Sequence, residues 1–219
     1  MLAVCLLTFI AMSIAAVPAT TPTTTPQPPN GIPKCAIYEC PVYTTLEEIG
    51  SDMWKRRIEQ SAWVHKVAPT CDRTEAIGLV VGDLDAYLED NNINESTPII
   101  LEVAENIPGP NSSCTGQSGS FPCCDQIYEL FRFIPEASEE TAPIPSQDSG
   151  ILLMHTYAFE IYGITFLGPN HNEEEQYEKL RKYLDEQGIL YYGSYYDVAV
   201  YDKPTDPQPH RNEVMITFI

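Results

Sequence analysis

Two stretches of the chain carry apolar residues at helical spacing. Across 72–90, Ile77, Val80, Val81, Leu84, Tyr87 and Leu88 recur at i, i+3, i+4, i+7, i+10 and i+11, the stripe of a helix with one buried side. Asp72 followed by Glu75 resembles a capping box, and Pro69 stands just upstream. Across 172–187, Glu173, Glu174 and Glu175 fill a first turn, Lys179, Arg181 and Lys182 come later, and Gly188 is placed to end the helix. The apolar side there is Tyr177, Leu180 and Leu184, with Tyr183 alongside. Shorter runs rich in Ile, Val, Tyr and Phe predict strands over 61–67, 98–104, 126–134, 150–166, 190–201 and 212–218. The run 150–166 is long enough for two strands or one strongly bent strand. Strand, helix, strand, strand therefore occurs twice, which predicts an α+β domain with one antiparallel or mixed sheet system and two helices packed outside it.

The ends and the charge narrow the picture. Residues 2–17 form an uncharged apolar run, shorter than the ~20 residues that span a bilayer, and small residues follow. This reads as a signal peptide over 1–19. Residues 20–34 are Thr/Pro-rich with little to bury, a linker before a domain at 35–219. The chain is then expected to be secreted, with no membrane insertion after cleavage. Twelve Lys and Arg against 31 Asp and Glu give a net charge of −19, which argues against nucleic acid and against an anionic membrane surface. Without Cys5, six cysteines remain: Cys35, Cys40, Cys71, Cys114, Cys123 and Cys124. An even number in an oxidising compartment predicts up to three disulfides, with fifteen pairings open. Adjacent Cys123 and Cys124 fit bonds to different partners better than a bond to each other. Asn94-Glu95-Ser96 and Asn111-Ser112-Ser113 are glycosylation sequons.

Little in the chain asks for catalysis. There is no Gly-x-Ser-x-Gly, P-loop or His-Glu-x-x-His pattern. The acids Glu173 to Glu175 after His171 are explained by the helix dipole. One feature of the first helix suggests binding instead. Gly78, Gly82 and Ala86 recur every fourth residue as a flat stripe of small residues. Such a stripe suits either a planar macrocycle or close packing of the helix on a sheet.

Near the C-terminus stands Tyr201-Asp202-Lys203-Pro204, then His210-Arg211-Asn212-Glu213-Val214. Upstream, in order, come Cys40-Pro41-x-Tyr43, Ala62-Trp63-Val64, Ala76-Ile77, Leu84-x-x-Tyr87-Leu88, Phe133-Ile134-Pro135, Pro143-x-Pro145, and Ile161-Tyr162 with Phe166-x-Gly168. This ordered set resembles the SOUL/haem-binding protein family over about 40–218. The resemblance implies a distorted β-barrel of two βαββ halves with two outer helices. It also implies binding of haem or another porphyrin without catalysis. The pocket it implies lies between the first helix and the loop before the last strand. Here those are Ile77, Val81, Leu84 and Leu88 on the helix, then Tyr201, Lys203 and His210 in the loop, with Arg211 beside it. His210, at the end of that loop, is the candidate haem-iron ligand. The sequence departs from the family at Asp83, where family helices often carry a basic residue, and at Arg57, which aligns with a proposed histidine ligand. Two other function classes stay open: a disulfide-stapled extracellular interaction or matrix protein that kept the fold without haem, and a small-molecule hydrolase. No protein partner is identified by the sequence.

Overall fold

A computed structural model describes residues 35, 37–105, 124–168, 172–202, 206 and 209–219. The expected signal peptide at 1–19 and linker at 20–34 lie outside the described residues, as do Cys114, Cys123, Asn111, His171 and Lys203. The elements in chain order are β1 (Tyr43–Ile49), β2 (Met53–Ile58), β3 (Ser61–Val67), α1 (Arg73–Asp90), β4 (Ile99–Glu105), β5 (Gln126–Ile134), α2 (Glu136–Glu139), β6 (Leu152–Thr156), β7 (Phe159–Leu167), α3 (Glu173–Gln187), β8 (Tyr195–Val200) and β9 (Arg211–Thr217).

All nine strands join one antiparallel sheet in the order β1-β2-β7-β9-β8-β4-β5-β3-β6. The two βαββ halves are β3-α1-β4-β5 and β7-α3-β8-β9. In the first, β3 and β4 both pair with β5. In the second, β7 and β8 both pair with β9. The β4–β8 pairing joins the halves, so their strand orders mirror each other. The terminal strands β1 and β6 do not pair with each other, which leaves an open half-barrel.

Local signals explain the helices. The Asp72 carboxylate accepts the Glu75 backbone N–H at 2.8 Å and caps α1. The reciprocal arm of a capping box is not made, because Glu75 accepts from the Thr70 hydroxyl instead. Gly188 ends α3 at φ 67°, a left-handed position that glycine adopts without strain.

Strand alternation then sorts side chains to two faces. The outer face sends Leu101, Leu130, Val198 and Val214 into the core beneath α1 and α3, where they meet Val80, Leu84, Leu180 and Leu184. The inner face carries a second cluster of Trp54, Ile58, Ile161, Ala199, Tyr201 and Met215.

The structure refines several expectations. The run 150–166 is two strands, separated at Tyr157 and Ala158. Only Tyr195–Val200 of the run 190–201 is a strand, and Tyr191 forms an isolated bridge with Phe218. The β2 strand is absent from the periodicity because Lys55-Arg56-Arg57 reads as a solvated run. Alternation resolves it: Arg56 is buried, Lys55 pairs with Glu160 at 2.8 Å, and Arg57 is exposed.

Four cysteines form Cys35–Cys40 and Cys71–Cys124. The second bond ties the start of α1 to the start of β5 across 53 residues. A loop of that size corresponds to roughly 4 kcal/mol on a chain-entropy estimate.

Two glycines give opposite expectations for stability. A Cβ on Gly163 would lie 2.3 Å from the Trp54 ring. Gly163→Ala is therefore expected to destabilise by about 1–3 kcal/mol through overpacking. A Cβ on Gly82 meets nothing within 4 Å. Gly82→Ala is expected to stabilise by about 0.5–1 kcal/mol through helix propensity alone. Urea unfolding of both variants checks the pair, and a destabilising Gly82→Ala would show that the exposed helix face is misassigned.

Candidate functional site

The small-residue stripe of α1 faces outward. Gly78, Gly82 and Ala86 are exposed, and neither glycine has a neighbour within 4 Å of an added Cβ. The stripe is thus an open surface and does not serve close packing on the sheet. Leu79 stands beside it, 48% exposed. Ile77 and Val81 are half-buried and lean on the edge of the core. Leu84 and Leu88 point the other way, into the core, at 0% and 3% exposure. They hold the helix to the sheet and present nothing to a ligand on its outer side.

The acids of α1 are neutralised locally. Asp83 pairs with Lys66 at 2.8 Å. Asp85 accepts from Arg132 Nε at 2.9 Å, while Arg132 Nη1 donates to the Ser96 carbonyl. At the C-terminal end of the helix, Asp85, Leu88, Glu89, Ile93, Glu95 and Arg132 line a pocket of about 150 Å³. That is below the ~300 Å³ at which sites for drug-sized ligands begin.

The loop before β9 contributes in a different direction. Tyr201 is buried on the inner face and donates its hydroxyl to Glu213 at 2.8 Å. Arg211 donates to Glu213 at 3.1 Å, and its backbone N–H donates to Asp202. His210 is 8% exposed, and its Nε2 lies 3.0 Å from the Asp206 carbonyl oxygen. Tyr201 and Arg211 therefore lie across the sheet from α1, and the structure does not bring them to Ile77 and Val81.

Periodicity missed the polar centre of the inner face. Glu213 is fully buried and accepts from Arg56, Thr165, Tyr201 and Arg211. Arg56 lies 3.6 Å from the Trp54 ring centre and 4.7 Å from that of Tyr43, a cation–π stack. Burial, then the Glu213 charge, pushes the Tyr43 and Tyr201 hydroxyls above the ordinary phenol range. A carboxylate so fully hydrogen-bonded anchors the fold. The signal for it was present in Arg211-Asn212-Glu213-Val214, where a lone acid interrupts a buried strand.

Further along the same face, Glu102 sits directly opposite Asp197 on β8 and Glu129 on β5. Glu129 contacts His65, which stacks on Phe131. Burial, then the Glu129 charge, raises the Glu102 carboxyl to about 7, and burial, then Glu102, raises Asp197 in the same direction. Among the described residues no group of three or more His, Cys, Asp or Glu is arranged to hold a metal ion, and no helix is long and apolar enough to cross a membrane.

The acidic row makes stability depend on pH. A folded carboxyl raised from 4.5 to about 7 binds more protons than its unfolded counterpart between those values. Its contribution is therefore most favourable at low pH and is lost as pH rises through about 7. Glu102→Gln, which keeps a neutral group there, is expected to flatten that decline in a series of thermal unfolding curves. An unchanged slope would contradict the assignment.

Comparison with known proteins agrees with this architecture. A family model described as "SOUL heme-binding protein" matches residues 38–217. No curated protein matches significantly. Among solved structures, the C-terminal domain of EcmrR is similar at 11% identity with a TM-score of 0.57, over 78% of this chain and 99% of that one. An uncharacterised conserved protein from Listeria innocua is similar at 9% identity with a TM-score of 0.50, over 75% and 92%. These two likenesses show the fold. With its mirrored βαββ halves, open barrel and outer helices, the chain belongs to the SOUL haem-binding protein family.

Proposed function

We propose that this protein is a secreted carrier that binds haem or a related tetrapyrrole reversibly, for transport or scavenging, and performs no chemistry on it. The observation that carries the reading is the open stripe of Gly78, Gly82 and Ala86 on α1. A planar macrocycle needs a flat surface with apolar flanks, and Leu79, Ile77 and Val81 supply them. The pairing of Asp83 with Lys66 and of Asp85 with Arg132 removes much of the local repulsion toward a dianionic ligand. Haem bound here would supply its own redox and gas-binding chemistry. The chain's part is to hold it by one face. No described residue of α1 is a His, Met or Cys, so the helix itself offers no iron ligand. His210 is engaged within its own loop, and in this reading it leaves the iron alone.

Secretion rests on the signal-like residues 1–19 and is in keeping with the two disulfides. Asn94 is exposed and free to carry a glycan, while Ser96 of the same sequon is buried. One observation favours the second reading, an extracellular interaction protein without haem. The crevice on the inner face, of about 20 Å³, and the pocket at the end of α1, of about 150 Å³, are each too small to enclose a macrocycle.

Hemin titration of wild type and Gly82→Leu separates the two. Leucine is a good helix former, so the variant is expected to fold at least as stably while its side chain stands up from the flat stripe. The expected result is saturable 1:1 binding by wild type, weakened about tenfold or more by Gly82→Leu, with the spectrum unchanged by His210→Ala. A linear, unsaturable response, or equal affinity of the two proteins, would refute the haem reading.

A further inference from the structure

Between the end of α1 and the start of β4 the chain runs Asn94-Glu95-Ser96-Thr97-Pro98, and the two ends of this sequon lie in opposite surroundings. Asn94 is exposed, whereas Ser96 is 1% exposed and its hydroxyl donates to the Phe133 carbonyl. The Ser96 carbonyl accepts Arg132 Nη1 at 2.9 Å, and Ser96 forms an isolated parallel bridge with Glu39. The buried Thr97 donates its backbone N–H to the Glu39 carbonyl at 3.0 Å and its hydroxyl to the Tyr201 carbonyl at 3.2 Å. Two residues on, Ile99 enters the sheet between Arg132 and Val200. Fraying of a loop therefore does not bare Ser96, because the start of β4 has to leave the sheet first.

An asparagine glycan is transferred only where a hydroxyl stands two residues on, so the transferring enzyme has to take hold of Asn94 and Ser96 together. In the step itself, Asn94 Nδ2 forms a bond to the anomeric carbon of a lipid-pyrophosphate-linked oligosaccharide. The bond from that carbon to the pyrophosphate oxygen breaks, the lipid pyrophosphate leaves, and Nδ2 gives up one proton. The folded protein offers the amide and withholds the hydroxyl. The order of synthesis leaves an opening, because Phe133 lies 37 residues downstream of Ser96 and Tyr201 lies 104 downstream of Thr97. At ~5–20 residues per second, roughly 2–7 s pass before Phe133 is made.

We propose that Asn94 is glycosylated before the fold closes and at no time after it. Folding withdraws the acceptor hydroxyl and leaves the glycan standing on an exposed residue. The proposal rests on secretion, which alone brings the chain to such an enzyme, and it is independent of haem.

The test uses the chain carrying Asn111→Gln, which leaves Asn94 in the only sequon. Bacterially made chain is either refolded with its disulfides or reduced and carboxymethylated, which places a charge at the buried Cys124 and keeps the chain unfolded by circular dichroism. Each form is incubated with oligosaccharyltransferase and a lipid-linked oligosaccharide, and transfer is read by mass. The unfolded form is expected to be modified, and the folded form at least about a hundredfold more slowly, since only its small unfolded fraction is a substrate. Ser96→Ala, assayed only in the unfolded form so that its folding does not matter, is expected to abolish transfer. Protein recovered from the medium of expressing eukaryotic cells is expected to carry the glycan at Asn94, with thermal unfolding unchanged when the sugar is trimmed. Equal rates for the two forms, an unmodified unfolded chain, transfer to Ser96→Ala, or a secreted chain bare at Asn94 would overturn the proposal. Retention of the chain in the cytosol refutes the secreted reading alone, since the two rates are measured with purified components.

Discussion

The buried Arg56–Glu213 pair is the constraint around which the sheet is arranged. Glu213 on β9 takes hydrogen bonds from β2, β7, its own strand and the residue after β8, so four chain segments far apart in sequence must meet at one carboxylate. Removing one partner of such a pair typically costs about 3–5 kcal/mol, because the other is left charged and dry. The pair need not be worth that much over an apolar alternative. Its effect is to fix the order β2-β7-β9-β8 and the register of each strand, since a one-residue slip would turn Glu213 toward the helices. Trp54 then stacks on Arg56, and Gly163 exists to make room for that ring.

Once the inner face is filled in this way, the helices have one place left to go. α1 and α3 cover the outer face, and their own outer sides meet water. On α3 that side is ionic. On α1 it is a run of small residues whose neighbouring acids are tied to Lys66 and Arg132. Net charge is therefore a poor guide to this surface. A total of −19 describes the whole chain, whereas screening over ~8 Å means a ligand on α1 responds to the few charges around it.

The helices were legible in the sequence because period, cap and stop agreed: Asp72 caps, Gly188 stops, and Val80, Leu84, Leu180 and Leu184 are buried as their spacing requires. The doubled βαββ plan was legible for the same reason. The β1–β2 hairpin was not, since the period of β2 is hidden by three consecutive cations of which only Arg56 turns inward. The candidate site was half legible. Apolar spacing identifies which side of α1 is buried, and that side is occupied by the sheet, so Leu84 and Leu88 are core while the glycines opposite them form the open surface. Tyr201 and Arg211 were drawn to the same site by their loop. Strand parity places them with Ala199 and Glu213, on the other face, and parity across a pair of strands is visible only once the pairing is known.

The central claim is that the outer side of α1, and not the inner face, meets the macrocycle. Its most direct test is amide chemical-shift mapping of the isotopically labelled protein with gallium protoporphyrin, a diamagnetic stand-in for haem. The account expects the largest shifts at Gly78, Leu79, Gly82 and Ala86, with Trp54, Ala199 and Glu213 unmoved. Shifts concentrated on those inner-face residues, with α1 silent, would contradict it.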